Sequence, residues 1–289
     1  MARKFRFGIQ ISNAGSAKEW AEKAKQMEDL GYSTLFIPDH FGDQLAPIPA
    51  MMAAADATST LRIGTLVLDN DYRHPLVLAK DLATIDVLSG GRLEVGLGAG
   101  WMKTDYAASG MPYDRPGVRI ERFKEGLQII KGLFHDGPFS FSGKHYTISD
   151  HEGTPKPIQK PHPPIYLAAY APSALKRVAT MADGWLPAGL PADAIKQMIG
   201  GIRSMAQEAG RDPAEIEIIV RANIEVRDEP RAADGFIFTG TPDQIKADIA
   251  ETRDLGVAEL HFDPSVSPDG ATVEGFLSRM EQMKELAGA

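Results

Sequence analysis

A regular alternation of short apolar runs with amphipathic segments is the feature that most constrains this fold. Eight times along the chain, a short run rich in aliphatic residues is followed by a segment of helical periodicity. The stretches "DLGYSTLFI" (29–37) and "DLGVAELHF" (254–262) repeat a helix end, a glycine and a strand at the same spacing. Strands that alternate with helices indicate a parallel sheet. Eight such units predict an α/β fold, the closed (β/α)8 TIM barrel.

Two segments interrupt the alternation. "GPFSFSGKHYTISD" (137–150) has alternating apolar residues around Ser142-Gly143, which predicts a β-hairpin inserted before strand 5. The polar stretch 227–240, which contains proline and glycine, predicts a second insertion before helix 7. A length of 289 residues suits one barrel, so we expect a single domain over 1–289.

The composition argues against several functional classes. A net charge of −8 without a long basic run argues against a nucleic-acid or anionic-membrane surface. The chain has no cysteine, which excludes disulfides, thiol catalysis and cysteine-ligated metals, and its histidines lack metal-ligand spacing, so no metal is predicted. The N-terminal "MARKFRFGIQIS" lacks the apolar stretch of a signal peptide, and no window approaches a membrane span, so we expect a cytoplasmic protein.

In a barrel of this kind, ligands bind at the C-terminal ends of the strands. Strand 2, "STLFI", ends in "PDHF", which places Asp39 and His40 at that edge. Either this pair faces a ligand, or Asp39 caps the next turn and His40 bonds within the loop. The residues alone favour neither reading. The other strand ends carry Gln10 and Ser12, Leu68-Asp69, Gly98 to Trp101, Ala169-Tyr170, and Asp263.

The run "GLGAGW" follows strand 4. Gly96, Gly98 and Gly100 resemble a dinucleotide-binding fingerprint, but Trp101 stands where that pattern requires glycine. The glycines therefore either let a ligand approach the backbone closely or relieve crowding at the barrel rim.

The run "AAYAPSAL" places the start of a helix directly after strand 5. The exposed amides and the dipole of a helix N-terminus suit a phosphate group. The alternative is an ordinary capped helix with Ser173 in its first turn.

Several segments together resemble the bacterial luciferase-like family of flavin and deazaflavin oxidoreductases. The resemblance covers nearly the whole chain and is carried by "FIPDHF", "IGTLVL…YRHPLVLAKDLATIDVLSGGRLEVGLGAGW", "GVRIERFKEGLQIIKGLF", "ADGWLP" and "GTPDQI…LGVAELHF". It implies the barrel fold, a possible homodimer, and either FMN or the deazaflavin coenzyme F420 as cofactor. The compact insertions and the "PDH" strand end are more similar to the F420-dependent branch.

That branch implies hydride transfer between C5 of the deazaflavin and a small organic substrate. One alternative is an FMN-dependent monooxygenase that works with a partner reductase. Another is a barrel that binds the cofactor without catalysis.

The resemblance also implies roles for individual residues. Asp39 and His40 match a pair beside the deazaflavin ring, with His40 handling a proton and Asp39 orienting it or contacting the cofactor. Leu66 and Val67 match a bulge in strand 3 that often contains a non-proline cis peptide and supports the ring. Trp101, together with Gly98, matches the turn after strand 4.

Further expectations concern the rest of the cofactor and the substrate. Ala169, Tyr170 and Ala171 match backbone positions whose amides hold the cofactor phosphate, although the family commonly has glycines there. Sugar-phosphate dehydrogenases of this branch have glutamate at the position of Trp101. A glucose-6-phosphate substrate is therefore not expected, and an apolar or aromatic wall is.

The anionic oligoglutamate tail of the coenzyme requires basic residues. Arg115, Arg119 and Arg122 are candidates because their spacing places them on one helix face. The alternative is a solvated face in which these arginines pair with Glu121 and Glu125.

Overall fold

The computed structural model describes residues 5–232, 237–263 and 273–287. Its strands are β1 Arg6–Gln10, β2 Thr34–Ile37, β3 Arg62–Thr65, β4 Leu68–Asp69, β5 Leu93–Gly98, β6 Phe139–Ser142, β7 Thr147–His151, β8 Ile165–Leu167, β9 Gly184–Trp185, β10 Glu217–Asn223, β11 Glu225–Val226, β12 Thr239–Gly240 and β13 Glu259–Asp263. Its α-helices are α1 Ala17–Asp29, α2 Pro47–Ala57, α3 Pro75–Leu88, α4 Lys103–Ser109, α5 Pro116–Phe134, α6 Pro172–Met181, α7 Ala192–Glu208, α8 Pro242–Asp254 and α9 Val273–Ala287.

The main sheet confirms the predicted fold class. Its strands follow the order β3-β2-β1-β13-β10-β9-β8-β5-β4, and an additional pairing of β3 with β5 closes it. β3 and β4 are two parts of the third barrel strand, so eight parallel strands, each followed by a helix, form the (β/α)8 barrel. β2 and β5 are buried along their whole length, as expected for parallel strands that are covered on both faces.

The chain forms two compact units. The first comprises Met1–Ile11, Lys23–Phe36 and Tyr166–Ala289, and the second comprises Ser12–Glu22 and Ile37–Ile165. Each has an apolar core of its own. Buried side chains such as Ile9 and Leu260 belong to the first unit, and Leu82 and Leu127 belong to the second.

Local sequence signals set several helix ends. The Ser16 hydroxyl accepts the Glu19 N–H at 3.2 Å at the start of α1, as the sequence predicts. His74, the residue before Pro75, caps α3 because its Nδ1 accepts the Leu76 N–H at 3.3 Å. α8 begins with a reciprocal capping box between Thr241 and Gln244.

The insertions agree with the predictions in part. β6 and β7 form the antiparallel hairpin expected before the fifth barrel strand. The long strand expected over "EIEIIVRANIEV" instead ends at Asn223, and β11 pairs with β12 in a separate two-stranded sheet. Residues 233–236 of the second predicted insertion and residues 271–272 of the predicted last helix lie outside the described residues. α4 was not predicted.

Among the described residues, no helix is both long enough and apolar enough to span a membrane.

Candidate functional site

The buried carboxylate of Asp39 ties the end of β2 to the segment that follows β3. It accepts two hydrogen bonds from the Arg73 guanidinium, at 2.6 Å from Nη1 to Oδ2 and 2.9 Å from Nη2 to Oδ1. Oδ2 also accepts the Asp69 backbone N–H at 3.1 Å. A bidentate arginine pair of this kind fixes geometry as well as charge. Asp39 therefore holds β2 and β4 together where both strands end.

His40, the next residue, has a different anionic partner. Its Nδ1 lies 2.7 Å from Oδ2 of Asp105, a buried residue in the first turn of α4. Asp105 also accepts the Tyr72 hydroxyl at 3.1 Å and the Phe41 N–H at 3.4 Å. The sequence assigned the orienting role to Asp39. The structure assigns it to Asp105, because the Asp39 carboxylate is directed at Arg73. The other role given to Asp39, contact with the cofactor, stays a prediction.

The hydrogen-bond network also assigns the tautomer of His40. An ionised carboxylate only accepts hydrogen bonds, so the proton of the neutral imidazole lies on Nδ1 and points at Asp105. Nε2 then carries a lone pair, and it has no hydrogen-bond partner within residues 5–232, 237–263 and 273–287. The His40 side chain is 27% exposed. This nitrogen can accept a proton from a bound molecule or, once protonated, return it.

An exposed aromatic ring lies beside His40. The Trp101 ring meets the imidazole edge to face with a centroid distance of 5.8 Å, and Trp101 is 68% exposed. Its backbone carbonyl accepts the Tyr113 hydroxyl at 3.2 Å. Trp101 thus presents an exposed aromatic ring beside the imidazole. That it contacts substrate or cofactor stays a prediction.

The peptide bond between Leu66 and Val67 is cis, which confirms the bulge expected in the third barrel strand. The Leu66 N–H donates to the Ile37 carbonyl at 3.0 Å, so the bulge is attached to the end of β2. Leu66 and Val67 are partly exposed, whereas Thr65 and Leu68 on either side are buried. The bulge therefore presents two apolar side chains. Their support of a cofactor ring stays a prediction.

Two glycines of β5 make room for this bulge. A Cβ added to Gly96 would overlap the Thr65 carbonyl oxygen and lie 2.9 Å from Val67 Cγ1. A Cβ added to Gly98 would lie 3.0 Å from Val67 Cγ2. Of the two sequence interpretations, relief of crowding by neighbouring protein atoms accounts for both positions. The role of Gly98 in cofactor binding stays a prediction.

Gly100 lies against a buried acidic cluster. It has a φ of +75°, and an added Cβ would overlap the Tyr106 hydroxyl. That hydroxyl donates to Asp71 Oδ2 at 2.9 Å and lies 3.2 Å from Asp69 Oδ2. Burial, aided by the nearby Asp71 carboxylate and opposed by the hydrogen bond from the Asp71 N–H, raises the pKa of Asp69 to about 6. Arg122 neutralises Asp71 through bonds of 2.6 and 2.7 Å.

These contacts occupy two of the arginines considered for the oligoglutamate tail. Arg119 is buried and donates to the Gly100 and Ala99 carbonyls, and Arg122 pairs with Asp71. The tail-binding prediction is therefore wrong for both. The alternative, pairing with the glutamates of the same helix, is wrong as well, because those carboxylates contact hairpin residues 144–146. Arg115 is exposed just before α5, and its role stays a prediction.

The predicted phosphate segment lies in the first unit, at the start of α6. The Ala169 carbonyl accepts Trp185 Nε1–H at 2.8 Å, which fixes the end of β8. The exposed Tyr170 hydroxyl bonds to the carbonyl and the N–H of Ala188, at 3.2 and 3.1 Å. Ser173 lies in the first turn of α6, as the alternative of an ordinary helix start expects, and the N-cap residue Ala171 makes no side-chain capping hydrogen bond. Phosphate binding by these amides stays a prediction.

Two residues of the site were missed by sequence reasoning. Arg73 follows the third barrel strand in "YRHP", and Asp105 follows the fourth in "WMKTDY". The available signal was an ionisable residue a few positions beyond each strand end. Neither residue could be matched to Asp39 or His40 without knowing that these connections lie together.

Comparisons with known proteins extend these observations. A family model described as luciferase-like monooxygenase matches residues 3–235. The FMNH(2)-dependent dimethylsulfone monooxygenase of Pseudomonas putida is 31% identical over 286 residues, which covers 81% of this chain and 78% of the relative. The 5,10-methylenetetrahydromethanopterin reductase of Methanopyrus kandleri is 28% identical over 261 residues, with coverages of 83% and 73%. The solved structure of the coenzyme F420-dependent tetrahydromethanopterin reductase of Methanopyrus kandleri matches with a TM-score of 0.83, covers 97% of each chain and is 21% identical, a likeness of fold.

Proposed function

Because the chain belongs to the luciferase-like monooxygenase family, whose members are oxidoreductases, we propose that it is a coenzyme F420-dependent oxidoreductase. The proposed reaction is hydride transfer between C5 of the deazaflavin and a small organic substrate. The observation that carries the proposal is the His40–Asp105 pair at the end of β2, whose geometry makes His40 Nε2 a proton acceptor or donor.

The described residues fit a flat, partly apolar cofactor. Leu66 and Val67 expose apolar side chains at a strand end, and Trp101 exposes an aromatic ring next to His40. When bound, the deazaflavin supplies the hydride chemistry, and the protein supplies position and electrostatics.

The protein's own contribution is proton handling. Reduction of a carbonyl or imine carbon by hydride requires a proton at the neighbouring heteroatom, and the reverse reaction releases one. His40 Nε2 holds or accepts that proton. Asp105, whose carboxylate lies 2.7 Å from His40 Nδ1, keeps the ring in one orientation. Asp39 keeps the strand end in place through Arg73.

FMN-dependent monooxygenation is the second candidate. It is favoured by the 31% identity to the FMNH(2)-dependent relative. The F420 proposal is favoured by the anchored proton-transfer group and by the "PDH" strand end. Reduced FMN reacts with oxygen, whereas the reduced deazaflavin largely does not, so oxygen uptake distinguishes the two.

A parallel titration of the purified apo-protein with F420 and with FMN, followed by absorbance or fluorescence, tests the proposal. Micromolar or tighter binding of F420 alone supports it and justifies an anaerobic screen of reducible substrates. Preferential binding of FMN with oxygen uptake in the presence of a flavin reductase refutes it.

Substitution of His40 separates catalysis from mere cofactor binding. His40→Ala should lower turnover at least about 100-fold while F420 affinity changes little, since general acid–base groups contribute about 10²–10⁴-fold. His151→Ala, at an exposed histidine of the hairpin, is the matched control. A change in affinity alone would indicate a cofactor-binding barrel without catalysis.

A further inference from the structure

A second polar cluster lies in the first unit, where β1, β10 and β13 end. Gln10 is the last residue of β1, Asn223 the last of β10 and Asp263 the last of β13. β13 pairs in parallel with both other strands, and Asn223 is the register partner of Asp263. Arg221 precedes Asn223 by two residues and so shares its face of the strand. Three adjacent strands thus end in polar side chains at the edge where barrels of this kind bind ligands.

Asp263 orients two members of this cluster. Its Oδ2 accepts Gln10 Nε2–H at 3.1 Å and also contacts Arg221 Nη2. Because a carboxylate oxygen only accepts, the Gln10 amide must present its nitrogen to Asp263 and direct its oxygen away. The Arg221–Asp263 pair also leaves these two charges balanced.

Three buried atoms of the cluster have no hydrogen-bond partner in the described chain. They are Gln10 Oε1, Asn223 Oδ1 and Arg221 Nε. Gln10 itself is only 8% exposed. Buried polar groups in native proteins are nearly always hydrogen-bonded, and an unpaired one is costly. Two acceptors and one donor therefore lack a partner at the ends of adjacent strands.

We infer that this cluster is the recognition site for a neutral polar group of the substrate, one that both donates and accepts hydrogen bonds, such as a primary amide or a hydroxyl. Gln10 Oε1 and Asn223 Oδ1 accept from the ligand, and Arg221 Nε donates to it. An anion is disfavoured because it brings no donor for the two amide oxygens and adds a charge to a balanced pair. The assignment to substrate rests on the proposed function, whereas binding itself requires no cofactor.

The test observes the side-chain amide signals of Gln10 and Asn223 by NMR in the full-length protein labelled at its glutamine and asparagine side chains. The probes are cyclohexanecarboxamide, cyclohexanecarboxylate and methylcyclohexane, which share a ring and differ in the polar group. We expect the carboxamide alone to shift both signals saturably. Asn223→Leu should weaken its binding about fivefold to tenfold, the loss of roughly one hydrogen bond. Gln207→Leu, at an exposed position of α7, should leave the affinity for the carboxamide unchanged.

Three results would overturn the inference. These are equal shifts with all three probes, preferential binding of the carboxylate, or no shift up to the solubility limit, in which case the three atoms are hydrated only. If Asn223→Leu fails to fold, Asn223→Ser, which shortens the side chain and withdraws its acceptor, takes its place. Since no cofactor is present, failure here is distinguishable from failure of F420 to bind, which concerns the proposed function.

Discussion

Replacing Asp105 by asparagine tests the orientation of His40 without any knowledge of the substrate. The carboxylate accepts from His40 Nδ1 at 2.7 Å, from the Tyr72 hydroxyl at 3.1 Å and from the Phe41 N–H at 3.4 Å. The amide of Asn has one oxygen and one donor group in the same space. If its NH₂ group faces Nδ1, the imidazole must become the Nε2–H tautomer. If its oxygen faces Nδ1, the NH₂ group is left opposite the Phe41 N–H.

The magnitude follows from the loss of a charge-assisted bond. A hydrogen bond to a charged group contributes about 1.5–3 kcal/mol, and the Asp105 side chain is only 6% exposed, so solvent replaces little of it. We therefore expect the free energy of unfolding to fall by about 1.5–3 kcal/mol. If the same interaction stabilises the imidazolium during turnover, turnover falls by roughly 10- to 100-fold.

Two measurements check this prediction. Nitrogen-15 NMR of the histidine rings reports the tautomer of His40, with a His40→Gln variant to assign its signal, and urea denaturation reports stability. Asp43→Asn, at an exposed acid three residues after His40, is the matched control. The reasoning is refuted if Asp105→Asn keeps the Nδ1–H tautomer and unfolds at the same urea concentration as the control.

Two further predictions concern the acidic cluster of Asp69 and Asp71, against which Gly100 lies. Gly100 and Gly110 have φ values of +75° and +72°, but only Gly100 has a neighbour, Tyr106, where a Cβ would lie. In urea denaturation, Gly110→Ala should lower the free energy of unfolding by about 1 kcal/mol and Gly100→Ala should lower it by at least about 3 kcal/mol. Equal losses would contradict the crowding of Gly100 by Tyr106. Asp69 has its pKa raised from 3.8 to about 6, so the folded state binds the proton more tightly and stability falls as pH rises through this range. Between pH 4 and pH 7, the free energy of unfolding of Asp69→Asn should rise by about 2–3 kcal/mol relative to that of the unsubstituted protein. A difference between the two proteins that stays constant over this range would refute the burial assigned to Asp69.

The fold could be predicted because its signals are local. Alternating apolar runs and helical segments, proline at position 75 and the Ser16 cap each act within a few residues, and the structure reproduces them. The break at Ile224 could not be predicted, because the apolar pattern continues through it while β11 pairs with a distant segment, β12. Pairing between distant segments has no local signature.

The candidate site could be predicted only in outline for the same reason. Strand ends point to Asp39 and His40, but the partners of these two residues come from other connections of the barrel. Arg73 and Asp105 are 34 and 65 positions away. A parallel barrel makes such residues neighbours only after every strand has taken its place. Side-chain pairing at the rim is therefore a property of the closed sheet and not of any one segment.

The His40–Asp105 pair has a consequence for loop exchange between related barrels. The histidine belongs to the connection after β2 and the aspartate to the connection after β5, so the pair bridges two segments that a loop graft would treat as separate modules. Grafting either connection alone would bring in an imidazole without its anion, or an anion without its imidazole. The two connections form one transferable unit, and a chimaera that keeps this orientation of His40 must exchange both together.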